Sequence, residues 1–197
     1  QRSKFSNSDI LEKLMEMLES SLKRRDIDMI IQLCRALGNI FFSNDDSRNI
    51  IFHHDGGAAL VKLFDIRNDE LKSVEELHTF SKVRSGVTSN YLLGNEELSL
   101  RAIELGAIEK LKVRIDDGMN PFDEEILTHH LPILSILIEQ VSELIFDADV
   151  LVRITRIFKH SNTSDVVEAC LELLQCQAES DEVKLLLAKE GICEHIF

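Results

Sequence analysis

Apolar residues recur along this chain at steps of three and four. Ile27, Ile30, Ile31, Cys34, Leu37 and Phe41 make one such stripe, the spacing that gathers side chains on one face of an α-helix. Leu71, Val74, Leu77, Val83 and Val87 follow the same rule less regularly, as do Ile126, Ile133, Leu134, Leu137 and Val141, and then Val166, Val167, Cys170, Leu173 and Leu174. Each stripe predicts a long helix with one buried face. The punctuation agrees. Asn120-Pro121 reads as a cap before proline at a first helical position, Gly94-Asn95 as the end of one helix and the cap of the next, and Ser180-Asp181-Glu182 as a start with acids in its first turn.

A repeat underlies these helices. Asp9-Ile10-Leu11-Glu12-Lys13-Leu14 and Gly106-Ala107-Ile108-Glu109-Lys110-Leu111 are nearly the same opening, and Asp55 to Leu60, Asp149 to Ile154 and Gly191 to Ile196 match it loosely. The apolar anchors Leu14, Leu60, Leu111, Ile154 and Ile196 lie 46, 51, 43 and 42 residues apart in turn, close to the ~40–47 of helical solenoid repeats. The longest interval holds the polar stretch from Asp65 to Glu76, read as an insertion that lengthens the helix leading to Val83 and Val87. One repeat cannot bury its own stripe, so neighbours must stack into a continuous core with a concave face. Ala36 and Gly38 are small enough for close helix contact in such a stack. The expected organisation is a single domain, 1–197, with repeats near 5–42, 43–93, 94–141 and 142–178 and a partial one at 179–197, part of a longer array.

Composition sharpens this. Two prolines, eight glycines, no tryptophan and 44% hydrophobic residues favour long helices with a sizeable core. Lys plus Arg is 22 against 35 Asp plus Glu, a net charge of −13 that opposes a phosphate backbone and argues against a nucleic-acid partner. From Asp116 to Asp149 the chain carries nine acids, Asp116, Asp117, Asp123, Glu124, Glu125, Glu139, Glu143, Asp147 and Asp149, and no Lys or Arg. They are either a solvated face or a docking surface for something basic, with Asp123, Glu124, Glu125, Glu139 and Glu143 the candidates. Cys34, Cys170, Cys176 and Cys193 lack metal or disulfide-framework spacing and read as reduced core residues of a cytosolic protein. No apolar run approaches the ~20 residues of a membrane span.

Cys34-Arg35-Ala36-Leu37-Gly38-Asn39-Ile40, then Asn44-Asp45-Asp46-Ser47-Arg48 and Asp55-Gly56-Gly57-Ala58, resemble an armadillo repeat and, more narrowly, the small GTPase GDP-dissociation stimulator family. Ser89-Asn90-Tyr91-Leu92, Asn95-Glu96-Glu97 and Gly106-Ala107-Ile108 extend the resemblance into the next repeat. It implies an all-α, armadillo-type right-handed superhelix of about four to five repeats. It also implies a partner-binding asparagine on the third helix of each repeat. Asn39 and Asn90 each lie 21 residues before an anchor, Arg35 and Gly86 four residues earlier on the same helix face, and Gln175 falls at that offset before Ile196. An amide there can hold a peptide backbone or bond its own chain. The third repeat offers Ile133 instead, beside Pro132, which removes a backbone hydrogen bond and kinks its helix.

Signatures of chemistry are missing: no phosphate-binding glycine loop, no nucleotide fingerprint, no His-Glu-x-x-His and no nucleophile elbow. His53-His54 and His129-His130 are adjacent, about 100° apart on a helix, so neither forms a metal pair. The expectation is therefore a protein-binding scaffold without enzymatic activity, metal or cofactor. The resemblance implies a dissociation stimulator and chaperone for Ras- and Rho-class GTPases, which often end in a basic prenylated tail. A groove that binds extended peptides, or a spacer between other domains, are the alternatives.

Overall fold

The computed structural model describes residues 8–141, 144 and 146–192. Among these, eleven α-helices follow one another: α1 (Ser8–Arg24), α2 (Ile27–Phe41), α3 (Asp45–His53), α4 (Gly57–Lys62), α5 (Val74–Leu92), α6 (Glu96–Glu104), α7 (Ala107–Met119), α8 (Glu124–Gln140), α9 (Ala148–His160), α10 (Ser164–Gln177) and α11 (Asp181–Lys189). The described residues include no β-strand beyond an isolated bridge between Met119 and Phe122. The chain divides into two compact units, 1–110 and 111–197. Against the expected repeat bounds, α1 and α2 fall in the first, α3 to α5 in the second, α6 to α8 in the third, α9 and α10 in the fourth, and α11 after them.

Short polar residues set the helix starts by accepting orphan amide protons. Asp26 accepts from Met29, Asn44 from Ser47, Ser73 from Glu76, Asn95 from Leu98 and Asp147 from Val150. Gly94 and Gly106, with φ of +77° and +82°, make the left-handed turns after α5 and α6, where a Cβ would be strained.

In the first unit α2 packs along α5, and α1 packs against α2, α3 and α4. All six residues of the α2 stripe are buried, and a fully buried Leu, Ile or Phe contributes roughly 1.5–3 kcal/mol. The α5 stripe differs from its expected form. Leu71 lies outside the helix, Val74 is exposed, and the buried ridge is Phe80, Arg84, Val87 and Tyr91. The cause is the insertion, which does not lengthen a helix. It forms short 3-10 turns at Leu63–Asp65 and Asn68–Glu70. Glu70 accepts from the Arg67 amide at 2.8 Å, closing the second turn, and α5 begins afresh after Ser73.

Two arginines are built into this unit. Arg84 is 1% exposed, and its guanidinium carbon lies 4.9 Å from the ring centroids of both Phe64 and Phe80, a pair of cation–π contacts in the core. Arg48 on α3 donates to the carbonyls of Asn90, at 3.4 Å, and Leu93, capping the C-terminal end of α5.

In the second unit α10 lies against α8 and α9, and α11 packs on α9. Gln177, buried at the end of α10, donates to the Leu144 carbonyl at 3.0 Å and accepts from the Phe146 amide at 2.8 Å. One side chain thus holds the non-helical approach to α9. Arg153 grips both carboxylate oxygens of Asp116, at 2.7 and 2.9 Å, a bidentate pair with strong geometry.

Other expectations are revised. Asn120-Pro121 does not open a helix: its peptide bond is cis, and α8 begins at Glu124 behind the cap Asp123. Ser180 precedes α11 but makes no side-chain cap bond. Among the anchors, Leu60, Leu111 and Ile154 are buried in α4, α7 and α9. Leu14 is only half-buried, because Leu11, Met15 and Leu18 carry the core face of α1. Ile196 lies outside the described residues.

Candidate functional site

Four of the five residues expected to line a groove meet in one. Cys34, Arg35, Gly38 and Asn39 of α2 face Thr79, Lys82, Val83, Gly86, Val87 and Asn90 of α5 around a cleft of about 530 Å³. Both sets recur at helical spacing, so each helix presents one continuous face. The helices approach closely at Gly38, where an added Cβ would meet the Val87 Cα at 3.5 Å, ordinary contact. At Gly86 an added Cβ would meet nothing within 4 Å, so the cleft is open there to the α5 backbone.

The two asparagines have different duties. Asn90 donates its amide to the Gly38 carbonyl at 3.0 Å, tying α5 to α2 across the cleft. Asn39 is exposed, and no side-chain hydrogen bond occupies it among the described residues. Arg35 and Lys82, both exposed, have no carboxylate partner among the described residues, and no Asp or Glu lines this cleft. Lys82 escaped the sequence reading, although it lies four residues before Gly86 and eight before Asn90 on the same α5 face.

Gln175 lines a separate cleft in the second unit. Ser135, Ile138 and Glu139 of α8 and Glu172, Leu173, Gln175 and Cys176 of α10 enclose about 190 Å³. Here the exposed charges, Glu139 and Glu172, are negative, and neither has a cationic partner among the described residues. Ile133 is buried in the core, away from this cleft, and α8 runs on through Pro132.

Most of the acid-rich stretch is used internally. Asp116 pairs with Arg153, Asp117 with Arg114 at 3.0 Å, and Asp147 and Asp149 with Lys112 at 3.2 and 3.0 Å. Hydrogen bonds from the Val150 amide and from Arg153 respectively lead in holding the Asp147 and Asp149 carboxyls below their usual range. Asp123 caps α8, accepting from the amides of Glu125 and Ile126 at 3.1 and 3.2 Å. Glu124 accepts from the Ser161 hydroxyl and from the amides of Asn162 and Thr163 at 2.8 and 3.1 Å. Those bonds, Ser161 foremost, hold its carboxyl at about 2. Glu125 and Glu139 are exposed; Glu143 lies outside the described residues. The stretch lacks cations in sequence, but Lys112, Arg114 and Arg153 supply them from either side.

No family model matches the chain. Over its whole length it is 45% identical to the GTPase-GDP dissociation stimulator vimar of Drosophila melanogaster. Along its whole length the chain is thus similar to part of a GTPase-GDP dissociation stimulator. It is also 27% identical, over 92% of its length, to the Rap1 GTPase-GDP dissociation stimulator 1-A of Xenopus laevis. The chain spans about a third of these relatives, 31% and 30% of their lengths. In fold it is similar to a designed armadillo repeat protein solved with the peptide (KR)4, with TM-score 0.62 and 19% identity over 90% of this chain and 70% of that one. The described residues are thus all-α, in a fold of armadillo type. No helix among its described residues is long and apolar enough to cross a membrane.

Proposed function

We propose that this chain is a non-catalytic binding module of a GTPase-GDP dissociation stimulator, engaging a small GTPase of the Ras or Rho class in the cytoplasm. The observation that carries the reading is 45% identity along the entire chain to a protein of that name. The α8–α10 cleft supports it: Glu139 and Glu172 offer two exposed carboxylates beside the amide of Gln175 and the apolar Ile138 and Leu173. A basic GTPase tail, prenylated or not, matches that chemistry. Opposite charges at an exposed rim speed encounter and make binding salt-sensitive. The same carboxylates suit a basic peptide such as the (KR)4 bound by the designed armadillo neighbour. The thiols of Cys34, Cys170 and Cys176 are free, in keeping with a reducing compartment.

Stimulation needs no covalent step. A module that binds the nucleotide-poor GTPase more tightly than the GDP-bound one must, by linkage, weaken GDP by the same factor. The test is to follow release of fluorescent GDP from a panel of Ras- and Rho-class GTPases with and without the chain. A labelled Lys/Arg-rich peptide, farnesylated and bare, is titrated in parallel at low and high salt. The expected result is salt-sensitive peptide binding, weakened about fivefold by Glu139→Gln with Glu172→Gln. Unchanged peptide affinity in that double variant rejects the α8–α10 cleft, and binding to none of the GTPases rejects the stimulator reading.

A further inference from the structure

We propose that the cavity between the α1–α2 turn and the end of α4 binds a small phosphate monoester. It encloses about 420 Å³ and is lined by Glu19, Leu22, Lys23, Arg25, Lys62 and Asp65, a volume within the ~300–1,000 Å³ of small-molecule sites. Three of these six are cations, and they come from three places in the chain. Lys23 belongs to the last turn of α1, Arg25 to the turn that follows it, and Lys62 to the end of α4. The insertion after α4 contributes Asp65 to the lining, and its Glu70 lies 3.2 Å from the Arg25 Nε.

The chemistry of the lining matches a compact dianion with an organic body. A phosphate monoester carries a charge of about −1.5 to −2 at pH 7. Lys23 and Lys62 are exposed, and neither has a carboxylate partner among the described residues. Asp65 is already met by Lys110, which is not part of the lining. Glu70 sits at the Nε edge of Arg25, and a guanidinium keeps further N–H donors for a second acceptor, in the planar fork that fits two phosphate oxygens. Leu22 offers an apolar surface to the rest of the ligand. Arg25 carries a further sign of selection for its side chain. Its φ of +56° is left-handed, a conformation in which helix ends favour glycine or asparagine. Arginine stands there against the backbone's preference, the kind of conflict that accompanies functional residues. Glu19, exposed and one helical turn before Lys23, opposes the anion and tempers its affinity. Long polyanions fit poorly, because the net charge of −13 repels them. This cavity shares no residue with the α2–α5 or α8–α10 cleft, and it does not rest on the stimulator reading.

Isothermal titration calorimetry of the whole chain tests the proposal, with phenyl phosphate, benzoate and a phosphoserine decapeptide as probes. Phenyl phosphate should bind at a single site, about tenfold more tightly than benzoate. Lys23→Met with Lys62→Met should weaken it about tenfold, and Glu19→Gln should tighten it about twofold. Arg25→Gly separates the ligand from the backbone: phenyl phosphate should bind about tenfold more weakly, while the Tm holds or rises because glycine suits that φ. Phenyl phosphate binding no tighter than benzoate, or unchanged both in Arg25→Gly and in the double lysine variant, overturns the proposal. Tighter binding of the phosphoserine decapeptide than of phenyl phosphate overturns the assignment to a small molecule.

Discussion

Glu124 is the residue at which an acidic docking surface and an internal structural role predict opposite outcomes. α10 starts at Ser164, and its N-cap, Thr163, makes no side-chain cap bond. The amides entering that helix are met from α8 instead, with Glu124 accepting from Asn162 and Thr163 at 2.8 and 3.1 Å and from the Ser161 hydroxyl. A carboxylate at a helix N-terminus in this role contributes about 0.5–2 kcal/mol. Because the side chain is partly exposed, about 1 kcal/mol is expected, well below what its depressed carboxyl would give without solvent screening. For a chain of this size that is about 2–4 °C in Tm. The folded carboxyl sits at about 2 against an ordinary 4.5, so the contribution is complete above pH 4.5 and disappears as pH falls from there towards 2. Thermal melts of the wild type, Glu124→Gln and Glu124→Ala at pH 7 and pH 3, with hydrogen exchange at the Thr163 amide, check it. Both variants should melt lower at pH 7, the difference between wild type and Glu124→Gln should shrink at pH 3, and the Thr163 amide should exchange faster. If Glu124→Gln melts like the wild type at pH 7 but associates more slowly with a basic peptide, the capping argument is wrong and Glu124 is a docking carboxylate.

Gly86→Ala should raise stability by about 0.5–1 kcal/mol, since it removes a mid-helix glycine where an added Cβ meets no atom within 4 Å; the urea midpoint should rise with an unchanged m-value. Asn90→Ala should cost about 1 kcal/mol by releasing the Gly38 carbonyl, whereas Asn39→Ala should stay within about 0.5 kcal/mol, both read from the same denaturation curves. Cys34 and Cys170 are buried with thiols pushed up to about 12 by desolvation, so iodoacetamide at pH 8 should modify the exposed Cys176 first and leave those two until the chain unfolds, as peptide mass mapping would show.

The helical architecture was legible because it rests on period. The α2 stripe is buried at every position, and Gly94-Asn95 ends α5 and caps α6 as the residues suggest. Legibility failed where one residue type serves two structures. Leu71 and Val74 fit a helical spacing, but Glu70 and Ser73 satisfy backbone donors locally, and those bonds break the helix between them. Nothing in the spacing of α5 marks Arg84 for burial, and only the meeting of Phe64 and Phe80 makes a buried place for it. The α2–α5 cleft was legible through Arg35, Asn39, Gly86 and Asn90, because equal offsets from an anchor put residues at equal places on equivalent helices. Asn90's internal bond was left open, since Asn serves a partner or its own backbone equally well.

Charge was the least legible property, and the reason bears on function. A run of acids without Lys or Arg suggests a negative field only if the fold brings no cations from elsewhere. Here Lys112 and Arg153 flank the run in sequence and fold back onto Asp147, Asp149 and Asp116, so the field there is largely cancelled at short range. The exposed charges that line the two clefts are set by single residues on repeated helix faces: Arg35 and Lys82 in one unit, Glu139 and Glu172 in the other. The repeat determines where such a face lies, while a handful of substitutions determines its sign. Two clefts of one repetitive chain therefore carry rim charges of opposite sign, and neither sign is visible in the total of −13.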